Sequence, residues 1–250
     1  VSKEALVHAR ERANADRYSQ IAPFYKEDWR GQVTHELKEE FERFLAYLGE
    51  PPGEILDAGC GTGKAAVYFA QKGYEVTGLD LSIGMLEEAR RQDAGNGEFN
   101  PVIGNMRVLP FSDKAFRGVW CMAALVHLDK KGKQRAIQEY SRVLEPGGYL
   151  YISVQNLLSK KHLRRVWQSA WSYLGYDDQN QFYIRPKSLD QIISGSSLIE
   201  RVRNGYAFLD DRHWFYPTKS GLIGLLQKQG FSIIDSNQAF ERRLRIFAKK

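Results

Sequence analysis

Cysteine is nearly absent from this chain. Cys60 and Cys121 are the two present in 250 residues, and no C-x-x-C occurs. Neither a disulfide scaffold nor a structural zinc site is therefore expected. Long apolar runs are missing too. No stretch approaches the ~20 apolar residues that span a bilayer, so no membrane span is expected. Val1-Ser2-Lys3-Glu4-Ala5 is charged and holds no apolar signal core, so no secretory signal is expected and the cytoplasm is the default location. Histidines are few. His8, His35, His162 and His213 are scattered without metal-ligand spacing, so no metal is expected. No internal repeat or low-complexity tract is present.

Of the residues present, 43% are hydrophobic, and that share over 250 positions suits one α/β domain with an insertion or small cap. The formal net charge is +6. A basic balance would suit an acidic substrate or a nucleic acid. Charges of both signs are interspersed, however, as on an ordinary solvated surface. The clearest basic cluster is Arg242, Arg243, Arg245, Lys249 and Lys250.

The first 50 residues read as helical. Val33, Leu37, Phe41, Phe44, Leu45 and Leu48 recur at helical spacing and predict one buried stripe, ended by Pro51-Pro52-Gly53. Strands and helices then alternate. Strands are expected near Ile55, over Tyr74 to Leu79, Pro101 to Ile103, Ala115 to Met122 and Tyr149 to Val154. Helices are expected over Ser82 to Arg91, with Ser82 as N-cap, and Lys130 to Leu144, stopped by a turn at Glu145-Pro146-Gly147-Gly148. Such alternation predicts a parallel sheet covered on both faces. Near the end, a helix over Ser220 to Gln229 stops at Gly230. Phe231 to Asp235 and Leu244 to Ala248 then read as an antiparallel hairpin on the sheet edge. Between Asn156 and Pro217 lies an aromatic-rich segment that the alternation does not need.

The most informative stretch is Ile55-Leu56-Asp57-Ala58-Gly59-Cys60-Gly61-Thr62-Gly63, where a strand turns into a helix. Glycines admit backbone conformations closed to other residues and let a ligand approach closely. A P-loop is excluded: Ala58 stands where its first Gly belongs, and Ala65 where its Ser or Thr would hold magnesium. A dinucleotide loop prefers G-x-G-x-x-G. Here Lys64 occupies the third Gly position, and an acidic residue, Asp57, precedes the first Gly by two.

That arrangement resembles motif I of the class I S-adenosylmethionine (SAM)-dependent methyltransferases. Later residues extend the resemblance over about 50 to 155. They include Asp80 at a strand end, Leu81-Ser82-Ile83-Gly84-Met85-Leu86, Gly104-Asn105-Met106-Arg107-Val108-Leu109-Pro110-Phe111, and Leu144 with the Pro-Gly-Gly that follows. The N-terminal Tyr18-Ser19-Gln20-Ile21-Ala22-Pro23-Phe24-Tyr25 resembles a segment that closes over SAM in the small-molecule branch. Both of its Asp positions are changed here, to Ser19 and Lys26. The resemblance implies a Rossmann-like, doubly wound, mostly parallel seven-stranded α/β sheet with an antiparallel C-terminal hairpin and a helical, aromatic insertion.

It also implies that SAM is held by Tyr18, Tyr25, Asp57, Gly59, Cys60, Gly61, Gly63, Asp80, Leu81, Met85, Asn105, Met106 and Met122. Asp57 would meet the methionine ammonium, Asp80 both ribose hydroxyls, and Met85 the adenine. At 105 the family carries an acidic acceptor for the adenine amine; here an amide stands in its place. Arg117 departs from the family's Asp, and the sequence offers no physical account of it. His127 matches the family's His past the fourth strand and is the candidate general base.

The resemblance divides the chain into a helical cap over 1–50, a SAM-binding core over 51–155, an insertion over 156–217 forming the acceptor pocket, and a helix and hairpin over 218–250. Trp171, Tyr183 and Trp214 are the candidate acceptor contacts. The expected partner is a small-molecule acceptor. Arg212-His213-Trp214-Phe215-Tyr216 loosely resembles tRNA wobble-uridine methyltransferases, so an RNA acceptor stays open. A nicotinamide-dependent oxidoreductase is disfavoured by the glycine spacing and the terminal hairpin. A non-catalytic SAM-fold binding protein is disfavoured because the loop is intact. Oligomeric state is not legible.

Overall fold

Hydrophobic periodicity and capping chemistry account for most of the elements. The computed structural model describes residues 3–25, 33–92, 99–155, 174–176, 182–184, 214–215, 217–239 and 243–250. Helix α1 spans Lys3–Tyr25 and α2 His35–Leu48. The Thr34 side chain caps α2 by accepting from Leu37 N, and Gly49 closes it at φ 81° with its N–H on the Leu45 carbonyl. Phe41, Phe44, Leu45 and Leu48 are buried as their spacing predicts. Val33 does not belong to that stripe: it precedes the cap and is 37% exposed.

Strands β1 (Glu54–Ala58), β2 (Glu75–Asp80), β3 (Phe99–Ile103), β4 (Phe116–Met122) and β5 (Leu144–Gln155) pair in parallel. They alternate with α3 (Lys64–Ala70), α4 (Ile83–Gln92) and α5 (Lys130–Val143). The short strands β6 (Leu174–Tyr176), β7 (Phe182–Ile184) and β8 (Trp214–Phe215) form a separate antiparallel sheet. Helix α6 (Lys219–Lys228) and strands β9 (Ser232–Ala239) and β10 (Arg243–Lys249) complete the chain. The main sheet has seven strands in the order β3-β2-β1-β4-β5-β10-β9, with β10 antiparallel to both neighbours. The hairpin therefore does form the sheet edge, with its second strand on the inside.

The order reverses between β1 and β4, and at such a point the carboxyl ends of adjacent strands part to leave a crevice. Side chains of β4 alternate across the sheet. Val119 and Cys121 join the core beneath α5 and α6, and Trp120 joins the core beneath α2 and α3. Trp120 stacks on Tyr151 at 3.7 Å, and Phe41, Phe44 and Phe69 lie at an angle to it at 5.2, 5.2 and 5.4 Å. This aromatic block fills the core beneath α2 and α3.

Two expectations change. The Glu145 to Gly148 turn is part of β5, because the chain end gives it ladder partners: Gly147 N–H donates to Lys250 O at 3.2 Å and Lys250 N–H to Gly148 O at 3.0 Å. In the 156–217 segment the described residues are the three short strands and Pro217, and the expected helical part lies outside the described residues. Arg117 gains an account. Its guanidinium donates to the Glu50 and Pro52 carbonyls, tying the α2–β1 turn to β4 at the end of the sheet away from the crevice.

Candidate functional site

The glycine loop after β1 is tied to the end of β2 by backbone bonds. Gly59 N–H and Cys60 N–H both donate to Leu79 O, at 2.7 and 3.0 Å, so the loop is moored to the end of β2. Gly59 has φ 81°, and a Cβ there would stand 2.3 Å from that of Ala124. Gly61 has φ 55° and faces open space, the kind of opening a ligand can fill.

Asp80 closes β2 beside this opening. Its Oδ2 accepts Gly61 N–H at 2.9 Å and its Oδ1 accepts Ser82 N–H at 2.8 Å. With the Leu81 amide also on it, the carboxylate keeps acceptor capacity for a ligand. Burial raises the Asp80 carboxyl above its usual range, opposed by the amides of Ser82, Gly61 and Leu81. Asp57 lies behind the loop, 2% exposed. Burial and the nearby Asp80 charge push its carboxyl up to about 8, with the Ala66 backbone amide opposing them. Two carboxylates under one loop form a site short of positive charge.

Helix α1 roofs the cavity. It packs on α4 through Ser19, whose hydroxyl is 2.8 Å from that of Ser82 and accepts Gly84 N–H at 3.3 Å. Ser82 Oγ also accepts Met85 N–H at 3.3 Å, as an N-cap does. Met85, Ile21 and Ala22 form a small core with Tyr18 and Tyr25 against it. At the other end of the cavity Tyr18 Oη lies 3.0 Å from His127 Nε2, with the rings edge to face. His127 ends a 3-10 turn, Leu125–His127, that follows β4, and the backbone of β8 passes close to this turn.

Of the residues expected to hold SAM, Tyr18, Tyr25, Gly59, Gly61, Asp80, Leu81, Met85, Asn105, Met106 and Met122 line one cavity, and His127 lines it with them. Asp57, Cys60 and Gly63 stand behind its wall. The Cys60 sulfur faces Gly78 of β2, and Gly63 packs against Ala89. Burial and the adjacent carboxylates hold the Cys60 thiol well above its ordinary range, so it stays protonated. Tyr183 and Trp214 belong to β7 and β8, but their side chains, and all of Trp171, lie outside the described residues.

Among the wall residues that sequence reasoning missed are Glu11, Asn14, Ala15 and Ala123. Positions 11, 14, 15 and 18 share one helical face, so that spacing was the available signal. Glu11 and Asn14 are 6% and 4% exposed. Ala123 has φ 57°, strain for a residue with a Cβ, at the carboxyl end of β4.

The donor set fits a cationic, adenosine-bearing ligand: carboxylates near the loop, thioethers and aliphatic walls, and a glycine opening. Comparisons with known proteins agree with this chemistry. Residues 55–148 match the methyltransferase domain family. A malonyl-[acyl-carrier protein] O-methyltransferase of Enterobacter lignolyticus is 37% identical over 144 residues, 56% of this chain and 53% of that protein. The O-methyltransferase resE of Aspergillus sclerotiorum is 36% identical over 136 residues, 52% of this chain and 51% of that protein. The chain thus spans about half the length of the curated relatives it matches. A SAM-dependent methyltransferase structure from Methanosarcina mazei superposes with a TM-score of 0.60 at 26% identity, covering 82% of this chain and 95% of that one.

Proposed function

We propose that this chain, whose core is a class I SAM-dependent methyltransferase domain with SAM as its cofactor, methylates an oxygen of a small-molecule acceptor delivered to the carboxyl end of β4. The observation that carries the reading is the cavity that runs from the glycine loop and Asp80 to the Tyr18–His127 pair. Both curated relatives described above are named O-methyltransferases, which favours oxygen.

The cofactor, when bound, supplies a methyl group on a sulfonium. Asp80 would take the ribose hydroxyls, Met85 would pack on the adenine, and Asp57 would answer the ammonium across the loop. Helix α1, as the roof of the cavity, would exclude water from the bound cofactor, which would strengthen each of these contacts. Tyr18 Oη orients the His127 ring through Nε2, and Nε2 would take a proton from a hydroxyl acceptor only by exchanging its Tyr18 bond for one to that hydroxyl. A carboxylate acceptor would need no such step. Residues 1–30 and 156–217 would together cover the site, and residues 50–155 would hold SAM.

The test is calorimetry with SAM, S-adenosylhomocysteine and NADH, followed by transfer of labelled methyl to hydroxyl- and carboxyl-bearing small molecules and to bulk tRNA at two salt concentrations. Binding of both sulfur ligands, no NADH binding and label on a small molecule are expected. Label on tRNA alone, with binding that weakens steeply with salt through counterion release, would overturn the acceptor assignment. Heat with NADH and none with either sulfur ligand would overturn the whole reading.

A further inference from the structure

Position 105 leaves a question about the base. Asn105 Oδ1 already accepts Arg107 N–H at 2.9 Å, and its Nδ2 donates to Glu11 Oε2 at 3.0 Å. The amide is thus turned toward α1 by two bonds, and it brings no negative charge to the cavity. The charge is supplied from elsewhere. Glu11, on α1, is 6% exposed and lines the same cavity as Leu81, Met85 and Asn105. Its Oε1 accepts from Arg107 Nη1 at 3.0 Å, a pair whose side chains are each 6% exposed.

We infer that Glu11 is the carboxylate that reads the exocyclic amine of the adenine, so that base recognition resides on the roof helix and not on the loop after β3. The inference rests on the SAM-dependent reading above. Three features support it. A carboxylate has about four lone-pair sites, and Glu11 uses two on Arg107 and Asn105, leaving acceptor capacity for an amine. Arg107 and Asn105 hold both oxygens in place, so little ordering remains on binding. A buried carboxylate is a stronger acceptor than an amide oxygen for an N–H donor. Recognition then requires α1 to be docked on α4, and the base is read only when the roof is closed.

The competing role for Glu11 is structural, neutralising Arg107 without touching the ligand. The two roles differ in the purine they select. Calorimetry with S-adenosylhomocysteine and with S-inosylhomocysteine, which carries a carbonyl in place of the amine, separates them. The wild-type chain is expected to favour the adenosyl ligand at least tenfold. Glu11→Gln should lower adenosyl affinity about tenfold and leave inosyl affinity nearly unchanged, so the preference collapses. The double variant Asn105→Asp with Glu11→Gln returns a carboxylate to the loop beside Arg107 and should recover most of the preference. It also carries the test should Glu11→Gln fail to fold. An unchanged adenosyl-to-inosyl ratio in folded Glu11→Gln overturns the inference, as does equal wild-type affinity for the two ligands or a double variant with no preference. If the wild-type chain binds neither ligand, the failure belongs to the cofactor reading itself.

Discussion

At the scale of single residues, Asp57 is the group whose environment predicts a measurement. An unfolded aspartate releases its proton near 3.8, and in the fold Asp57 holds it to about 8. Between those values the folded chain binds more protons than the unfolded chain, so stability falls as pH rises. The contribution is fully present below the unfolded value and lost as pH passes through about 8. The groups coupled to Asp57 are Asp80, Cys60, Cys121 and Tyr140, all of which are neutral or negative, so none rescues the charge. Thermal melts of wild type and Asp57→Asn from pH 5 to 8.5 check this. The variant should lose the part of the decline due to this carboxyl, and parallel curves would show that Asp57 ionises normally. A cationic ligand should drive the proton off, so wild-type SAM affinity should fall as pH drops below about 8, an effect absent in Asp57→Asn.

At the scale of elements, α1 is the part whose attachment decides the site. It rests on α4 where Gly84 meets Ser19, and a Cβ on Gly84 would lie 2.7 Å from the Ser19 Cα and carbonyl oxygen. A helical glycine ordinarily costs up to about 1 kcal/mol relative to alanine, so replacing it should stabilise an isolated helix. Here contact with rigid backbone reverses the sign. Gly84→Val should lift α1 while the seven-stranded sheet persists. Limited proteolysis should cut within residues 3–25 faster than in wild type, and S-adenosylhomocysteine affinity should fall roughly tenfold, an order-of-magnitude expectation for losing one wall of a site. Unchanged cleavage and affinity would mean that α1 docks elsewhere.

At the scale of the whole molecule, the proposed function assigns cofactor and acceptor to different stretches of chain. The glycine loop, β2, α4 and the loop after β3 line the cofactor cavity with α1. The backbone of β8 approaches the turn that carries His127 from the 156–217 segment. Substitutions at Trp171, Tyr183 or Trp214 should therefore leave SAM affinity within about twofold while acceptor turnover drops tenfold or more, read as calorimetry against labelled methyl transfer. Equal loss of both in folded variants would contradict the division of labour.

Much of this was legible in the order of residues, for a local reason. Strand–turn–helix units with Asp57, Gly59, Gly61, Asp80 and Met85 lie close in sequence, and each depends on backbone freedom or capping that neighbouring residues supply. The parallel sheet followed from alternating periodicities, and the terminal hairpin from two short apolar runs. What only tertiary structure decided involves partners far apart along the chain. Glu11 meets Asn105 across 94 positions and Tyr18 meets His127 across 109. No local pattern encodes those encounters, because they depend on how α1 lies across the sheet. The same holds for the positive φ of Ala123, imposed where β4 ends against β5 with Ala123 N–H bound to Ser153 O at 2.7 Å. Arg117 belongs to this group as well, since its carbonyl partners come from the turn before β1. The sequence by itself determined which loop can cradle the cofactor. The packing of a helix remote in sequence determined that the Glu11 carboxylate lines the same cavity.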